Sequence, residues 1–372
     1  MSRVYPESFH PDYSRLESTP FTRKRLENLA CVVIGAGALG NEIARVLGLL
    51  GAGSVHVVDP DIVEATNLPR SVFFCARNSI GQNKACALVE AARAMFPGTD
   101  WQATGREIAD VGFGSLARAG LLFSCVDSDL ARLEIAYAST KLGLPVADGG
   151  LGRQNYSHGR VTYFPARPDQ ACYGCMLSPS RRRELLELWQ STVRPCQAGD
   201  GAADDLVSTP TMAGIVACIQ VEFGLRQFFQ HEPAASARSI EIQIHPARKL
   251  EEFLIPVSAE CPFHGFEESL RPLPHAGCTF EQLLNSAHSD ALILDWPVCV
   301  DARCLECGAQ WAPMLRLAAL RRRGRCTKCG SRAILELQTI RDIARGSSWL
   351  SHTPAALQLP PDHLYSMRPP QL

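Results

Sequence analysis

A glycine-rich hexapeptide, Gly35-Ala36-Gly37-Ala38-Leu39-Gly40, has the residue types and spacing that bind a phosphate. Gly35 permits a tight turn, Gly37 lets backbone approach a phosphate, and Gly40 lets the next helix pack closely on the preceding strand. The first N–H groups and the dipole of that helix attract an anion. Asp59 follows about 20 residues later, where an acid accepts hydrogen bonds from ribose hydroxyls. The pattern predicts a nucleotide site, because a turn needed only for packing leaves the acid unexplained.

Two cysteine-containing pairs far apart in the sequence have the spacing of zinc ligands. They are Cys172 with Cys175, a CxxC pair, and Cys261 with His264, a CxxH pair. Together they supply three thiolates and one imidazole, which is the donor set of a closed structural zinc site. A redox-active CxxC is the alternative for the first pair.

Two further pairs lie nearer the C-terminus. Cys304 and Cys307 form one CxxC pair, Cys326 and Cys329 form the other, and a glycine follows each second cysteine. That glycine lets backbone N–H groups turn toward the thiolates. The repeated CxxCG pattern predicts a zinc ribbon, and therefore a second zinc ion.

The elements that must position these residues follow from hydrophobic patterning. Apolar runs at 31–34, 55–58 and 121–126 read as buried parallel strands, with helical patterns between them. Residues 239–245 alternate strictly and predict an antiparallel strand. The sequence therefore predicts an α/β fold, a doubly wound, Rossmann-like, mostly parallel sheet with an antiparallel extension and a small C-terminal zinc-ribbon domain.

Two charged residues lie where these strands and helices meet. Lys84 opens a helical pattern, where its charge opposes the helix dipole unless an anion binds there. The alternative is a surface lysine. Asp127 follows a buried strand and suits a magnesium ligand beside phosphates. The alternative is a role in capping the next helix, for which Asp129 is the other candidate.

Four motifs in order, GAGALG, VVDPDIVEATNLPR, GQNK and CVDS, resemble the ThiF/MoeB family and the adenylation domains of ubiquitin-activating enzymes. The resemblance covers residues 15 to 265, approximately. It implies an enzyme that uses ATP and Mg²⁺ to adenylate the C-terminal glycine of a small ubiquitin-fold protein. It also implies a zinc site made of two cysteine pairs, from which His264 is a departure.

The resemblance also implies roles for individual residues of the cleft. Ala38 stands where a glycine is usual, but it keeps its backbone N–H. The expected contacts are Asp59 with the ribose, Asn67, Arg70 and Lys84 with the phosphates, Asp127 with magnesium, and Asp61 as a lining residue of the same site.

An arginine from the N-terminal arm of one subunit enters the other subunit's ATP site in this family. Arg15 is the candidate here. The number of residues between it and the glycine turn is smaller than the resemblance leads us to expect, so Arg23 stays open as a second candidate. The expectation is therefore a homodimer.

The family's catalytic cysteine lies on a crossover loop before an apolar helix. Cys196 is the only cysteine in the matching segment, about residues 190–209, and the neighbouring Arg194 would favour its thiolate. Cys196 would attack the adenylate and form a thioester, or receive sulfur in the sulfur-transfer branch. The alternative is a free surface cysteine.

Composition sets the remaining expectations. A net charge of -1 gives no indication of nucleic-acid binding, which usually requires an excess of positive charge. No apolar run reaches membrane-spanning length. With no apolar signal-peptide core, we expect a cytoplasmic protein. The expected divisions are an arm over 1–28, an adenylation domain over 29–265, a zinc-ribbon-containing domain over 266–350 and an irregular, proline-rich tail over 351–372.

Several functions remain as hypotheses. The first is an activating enzyme that adenylates a ubiquitin-like protein and passes it from Cys196 to a conjugating enzyme. The second is activation of a sulfur-carrier protein of thiamine or molybdopterin synthesis. The third is an inactive adaptor of the same fold, against which the presence of Asp59, Arg70, Lys84 and Asp127 argues. The fourth, a dinucleotide-dependent oxidoreductase, gives no role to the NLPR and GQNK segments.

Overall fold

The structure is a computed structural model that describes residues 11–74, 79–152, 155–190, 209–230, 236–264 and 269–368. Its helices, in chain order α1 to α10, are Arg23–Glu27, Ala38–Leu50, Lys84–Met95, Phe113–Leu116, Asp129–Leu142, Tyr173–Met176, Pro179–Gln190, Pro210–Gln230, Phe280–Ser286 and Leu317–Arg323. Its strands, β1 to β14, are Ala30–Ile34, Ser54–Val58, Asp100–Thr104, Leu121–Ser124, Val146–Leu151, His158–Phe164, Arg238–Gln243, Lys249–Leu254, Ser269–Arg271, Ala291–Cys304, Gln310–Trp311, Leu315–Arg316, Ile334–Ala344 and Tyr365–Arg368.

The first eight strands form one sheet in the order β3-β2-β1-β4-β5-β6-β7-β8. Strands β1 to β5 pair in parallel, and β6, β7 and β8 continue the sheet with antiparallel pairing. The strand order reverses between β1 and β4, and ligands of open α/β sheets bind at the carboxyl ends of strands at such a reversal. The predicted fold class is confirmed, including the antiparallel strand in the alternating segment.

Both faces of this sheet are covered. One core contains apolar residues of α2, α3 and α8, and the opposite core contains those of α4 and α5. The expectation that no apolar run reaches membrane-spanning length is wrong for α8, which among the described residues is long and apolar enough to cross a membrane. It packs against α2, β5 and β6, and residues such as Val216 and Leu225 are fully buried, as in the core helix of a globular domain.

A second sheet follows the first in the chain. Its order is β11-β10-β14-β9, and β12 and β13 also pair with β10. It has an apolar core of its own, which includes Phe280, Leu284 and Leu292. The four cysteines of the predicted ribbon lie near the end of β10 and the start of β13. The ribbon is therefore one end of a larger sheet.

The expectation of an irregular segment over 351–372 is wrong for much of it. Pro354–Leu357 form a 3-10 helix, and β14 pairs with both β10 and β9. Tyr365 and Met367 are buried in the core of the second sheet, which offsets the cost of ordering this strand. The prolines of this region lie outside β14, where they remove no ladder hydrogen bond.

The second sheet is docked on the first through an aromatic and polar cluster. The Trp296 ring lies 5.6 Å from that of Phe113, centroid to centroid. Asp295 accepts hydrogen bonds from Tyr137 Oη (2.6 Å) and Ser366 Oγ (3.1 Å), and pairs with His363 Nε2 (2.7 Å). Burial alone would raise the pKa of Asp295, but the hydrogen bond and charge of His363 hold it below its usual value.

Candidate nucleotide and metal sites

The glycine turn has the geometry that its sequence predicts. Gly35 has a positive φ of 98°, which a residue with a side chain rarely adopts. Gly37 is the N-cap of α2, and a Cβ atom placed there would meet nothing within 4 Å. A Cβ on Gly40, in contrast, would collide with the carbonyl oxygen of Gly35. The turn is therefore closed on the sheet side, at Gly40, and open on the ligand side, at Gly37.

Asp59 follows β2 directly and is only 5% exposed. Its Oδ2 accepts a hydrogen bond from Ala36 N (2.6 Å), and its Oδ1 accepts one from Asp61 N (2.8 Å). Burial raises the pKa of Asp59, while the two N–H groups and the charge of Lys84 act in the opposite direction. The carboxylate therefore also holds the glycine turn in place, a role that the sequence did not reveal, and each oxygen keeps a lone pair for ribose.

Lys84 is the first residue of α3. Its Nζ lies 3.0 Å from Asp61 Oδ2, and the Asp61 side chain is 65% exposed. The side chain of Asn83 caps the helix by accepting from Cys86 N, and it donates to the carbonyl of Asp59 at 2.8 Å. This arrangement fixes the start of α3 beside Asp59 and brings a lysine charge to the predicted nucleotide site.

Asn67 and Arg70 belong to a 3-10 helix, Ala65–Arg70, that follows Asp61. The side chain of Asn67 is part of a capping box, and its Oδ1 accepts from Glu64 N at 2.9 Å. This leaves its amide nitrogen as the group available to a phosphate. Arg70 ends the helix and lines the cleft.

Asp127 lies between β4 and α5 and lines the cleft. The N-cap of α5 is Ser128, whose Oγ accepts from Ala131 N at 3.4 Å. Asp129 instead accepts from Tyr173 Oη (2.9 Å) and pairs with Arg181 (2.8 Å). The capping alternative is thus wrong for both aspartates, and the placement of Asp127 is compatible with a magnesium ligand.

Most of the predicted nucleotide-site residues meet in one cleft of about 360 Å³, which is within the range of small-molecule sites. It lies at the carboxyl ends of β1, β2 and β4, where the strand order reverses. The cleft residues that the sequence had singled out are Gly35, Gly37, Ala38, Asp59, Asp61, Asn67, Arg70, Lys84 and Asp127. Their roles as ligands of ATP or magnesium stay predictions.

Several cleft residues were not anticipated. Glu107 and Ile108 follow β3, and the rule that ligands bind at carboxyl ends of strands could have found them. Arg132 is buried, and its Nε lies 3.0 Å from Asp148 Oδ1. Arg322 comes from α10, the helix that follows β12 of the second sheet. No local pattern could have placed it at the cleft.

The first zinc-ligand set converges as its spacing predicts. Cys172 Sγ lies 3.6 Å from Cys261 Sγ, and Cys175 Sγ lies 3.2 Å from His264 Nε2. All four ligand atoms lie within 4.8 Å of one another. Zinc–sulfur bonds of about 2.3 Å in a tetrahedron place sulfur atoms about 3.8 Å apart, so the set fits zinc.

The second set converges equally well. Cys304 Sγ lies 3.6 Å from Cys329 Sγ, and Cys307 Sγ lies 3.6 Å from Cys326 Sγ. Backbone N–H groups of Cys329 and Lys328 lower the pKa of Cys326 to about 6, which favours the thiolate that binds metal. Gly308 and Gly330 have positive φ, as expected after each second cysteine.

The remaining predicted residues do not join the cleft. Arg15 is exposed in the 3-10 helix Ser14–Leu16, and Arg23 lies over the Tyr13 ring, 4.4 Å from its centroid. Neither lines the cleft of its own chain. Cys196 lies outside the described residues.

The fold and this cleft define a doubly wound α/β protein with a ligand site at its strand reversal. The chain matches the ThiF family over residues 14–262 and belongs to that family.

Several known proteins are similar to part of the chain. It is 26% identical to the adenylyltransferase and sulfurtransferase MOCS3 of Caenorhabditis briggsae over 155 residues, 41% of this chain and 38% of the relative. It is 30% identical to the sulfur carrier protein ThiS adenylyltransferase of Bacillus subtilis over 161 residues, 42% and 46% of the two chains. The SAMP-activating enzyme E1 of Haloferax volcanii is 24% identical over 223 residues, which are 60% of this chain and 75% of that enzyme. The chain thus spans less than half of the first two relatives.

Among solved structures, E. coli MccB with ATP is similar at 18% identity and a TM-score of 0.48, covering 66% of this chain and 68% of MccB.

Proposed function

We propose that this chain uses ATP to adenylate the C-terminal carboxylate of a ubiquitin-like or sulfur-carrier protein. The cleft supports this proposal most directly, because it gathers the glycine turn, Asp59, Arg70, Lys84 and Asp127 at one edge of the sheet. Relatives from three organisms add support, since their names describe adenylyltransferases or an activating enzyme.

The reaction needs positioning and charge neutralisation. A carboxylate oxygen bonds to the α-phosphorus, and the bond from that phosphorus to the leaving pyrophosphate breaks. No general base is required, because a carboxylate is already ionised at neutral pH. Lys84, Arg70 and the N–H groups around Gly37 would bind the phosphate oxygens, and Asp59 would fix the ribose.

The pair between Lys84 and Asp61 does not obstruct this role. The pair lies at 3.0 Å, but the Asp61 side chain is 65% exposed. Ion pairs of this kind contribute about 0–1 kcal/mol, because solvent and salt screen them. A triphosphate, with several negative charges, would therefore draw Lys84 away from Asp61 at little cost.

Magnesium would neutralise further phosphate oxygens when bound. Asp127 fits such a site, because it offers the oxygen ligand that Mg²⁺ prefers and it faces the cleft with Lys84. The two zinc sets would be structural, since each supplies four protein ligands and leaves no open position.

The steps after adenylation are part of the proposal. Cys196 would accept the activated protein as a thioester and pass it to a conjugating enzyme, a role that rests on its position between α7 and α8. Transfer of sulfur to the carrier protein is the second candidate, which the similarity to the ThiS adenylyltransferase favours. A homodimer would let Arg15 of one chain reach the cleft of the other.

Pyrophosphate exchange tests the central step. The purified chain is mixed with ATP, labelled pyrophosphate and ubiquitin-fold proteins encoded by neighbouring genes. We expect exchange that depends on one such protein and is lost when its terminal glycine is deleted. Chain that binds NAD but neither binds ATP with Mg²⁺ nor supports exchange would refute the proposal.

Two matched variants test the cleft. Asp127→Asn should abolish exchange, because it removes the proposed ligand charge. Asp129→Asn is the control, since that carboxylate is held by Tyr173 and Arg181 outside the cleft. Normal exchange by Asp127→Asn would remove this residue from the reaction.

A further inference from the structure

Helix α10 brings a cation from the second sheet to the nucleotide cleft of the first. Arg322 lines this cleft together with Glu107, Ile108 and Val126. Its Nη2 donates to Glu107 Oε2 at 2.7 Å. Its Nε is buried and has no hydrogen-bond partner among the described residues. The Arg322 side chain is nevertheless 36% exposed, so another part of its guanidinium faces the open cleft.

The helix that carries Arg322 is firmly held. At its start, Arg316 pairs with Glu107 (2.7 Å) and Asp110 (2.6 Å). Leu317, the first residue of the helix, and Leu320 are buried in a small core next to the ribbon. Glu107 therefore receives two guanidinium groups from the second sheet, and Arg322 is presented to the cleft by a fixed element.

The position of Arg322 along the cleft follows from the strand order. The glycine turn marks the phosphate end, and Asp59 at the end of β2 marks the ribose. Glu107 and Ile108 follow β3, the strand on the far side of β2 from the glycine turn. Arg322, which is bonded to Glu107, therefore lies beyond the ribose, at the end where the base would lie. Apolar Ile108 and Val126 suit a flat base there.

We propose that Arg322 of the second sheet contacts the purine base of the nucleotide bound in the cleft of the same chain. Its planar guanidinium would lie against the face of the base, and Glu107 would hold it in place. The C-terminal region thus completes the nucleotide site. This inference rests on the proposed function only in taking the cleft as a nucleotide site.

Calorimetric titrations of the full-length, zinc-loaded chain test this contact. The ligands are ATP with Mg²⁺, AMP and pyrophosphate, each alone. Arg322→Ala should weaken ATP and AMP binding by a similar factor, about three- to thirty-fold, and leave pyrophosphate binding unchanged. Arg345→Ala is the matched control, because Arg345 is an exposed arginine of the same sheet that pairs with Asp290.

Arg322→Lys separates base contact from a structural role. Lysine keeps the charge and can still pair with Glu107, but it lacks the planar fork. We expect it to weaken AMP binding as Arg322→Ala does, with an unchanged melting temperature. Full rescue by lysine, or an alanine variant that binds AMP normally, would overturn the inference. Weakened binding of pyrophosphate as well as ATP would also overturn it, in favour of a phosphate contact.

The outcomes distinguish this inference from the proposed function. ATP binding by the native chain that is unchanged in Arg322→Ala overturns the base contact alone. ATP binding that depends on Arg322, without exchange driven by any ubiquitin-fold protein, overturns the proposed reaction alone. A native chain that binds no ATP overturns both.

Discussion

Replacing Arg316 with methionine removes the positive charge at the centre of a buried acidic cluster. The Arg316 side chain is 7% exposed and pairs with Glu107, Asp110 and Glu134 at 2.7, 2.6 and 3.4 Å. Two of these acids precede α4, one lies on α5, and Arg316 belongs to the second sheet. Methionine preserves much of the volume but leaves the carboxylates without this partner.

The expected loss in the free energy of unfolding is about 3–5 kcal/mol at neutral pH, the usual cost of removing one partner from a buried ion pair. At about 2–4 °C per kcal/mol, the melting temperature should fall by roughly 6–20 °C.

The loss should depend on pH in a stated direction. Burial raises the pKa of Glu134 above its ordinary value of 4.5, and the charge of Arg316 opposes this shift. An acid whose pKa is higher in the folded chain stabilises the fold at low pH, and this contribution is lost as pH rises through that pKa. Removal of Arg316 raises the pKa of Glu134 further, so the deficit of the variant should be larger at pH 7.5 than at pH 5.

Thermal and urea unfolding of the native chain and Arg316→Met at these two pH values measure the effect. Arg345→Met is the control, because Arg345 and Asp290 are both about half exposed and their pair should contribute no more than about 1 kcal/mol. An Arg316→Met chain as stable as the native one at pH 7.5, or a deficit that is the same at both pH values, would refute the reasoning.

The remaining predictions concern the turn, the ribbon and the cysteine. Gly40→Ala should prevent folding of the first sheet, seen by circular dichroism, because its Cβ would collide with Gly35; Gly37→Ala has room, so it should fold and lose only ATP affinity in titrations. Cys307→Ser should lower the zinc content from two ions per chain to one by elemental analysis, and an unchanged content would contradict the second site. Cys196→Ala should keep pyrophosphate exchange but lose any reducible protein adduct on gels; persistence of the adduct would indicate another cysteine.

Local patterns were sufficient to predict the fold of the half of the first sheet that carries the glycine turn. The apolar runs of β1 and β2, the glycines between them and Asp59 lie within 30 residues, so sequence spacing determines their spatial arrangement. The zinc sets were also predictable, even though Cys172 and Cys261 are far apart, because a metal site demands particular ligand types in particular pairs.

The second sheet was not predictable in the same way. The long strand β10 is buried along most of its length and shows no alternation, and β14 lies among prolines that indicated a loop. Arg322 could not be assigned to the cleft from the sequence, because its partner, Glu107, is remote in sequence. The position of Asp59 in the sequence predicted a contact with ribose. Its hydrogen bond from Ala36 N could not be predicted, because that bond depends on the three-dimensional shape of the glycine turn.

The aromatic and polar cluster that joins the two sheets, which includes Asp295, Tyr137 and His363, has a consequence for synthesis on the ribosome. Phe113, whose N–H donates to His363 at 3.4 Å, precedes that histidine by 250 residues. At about 5–20 residues per second, translation leaves the apolar surface around Phe113 uncovered for roughly 10–50 s. Trp296 is made about three quarters of the way through that interval and β14 only at its end, so the apolar surface of the nascent first sheet is open to aggregation until the second sheet covers it.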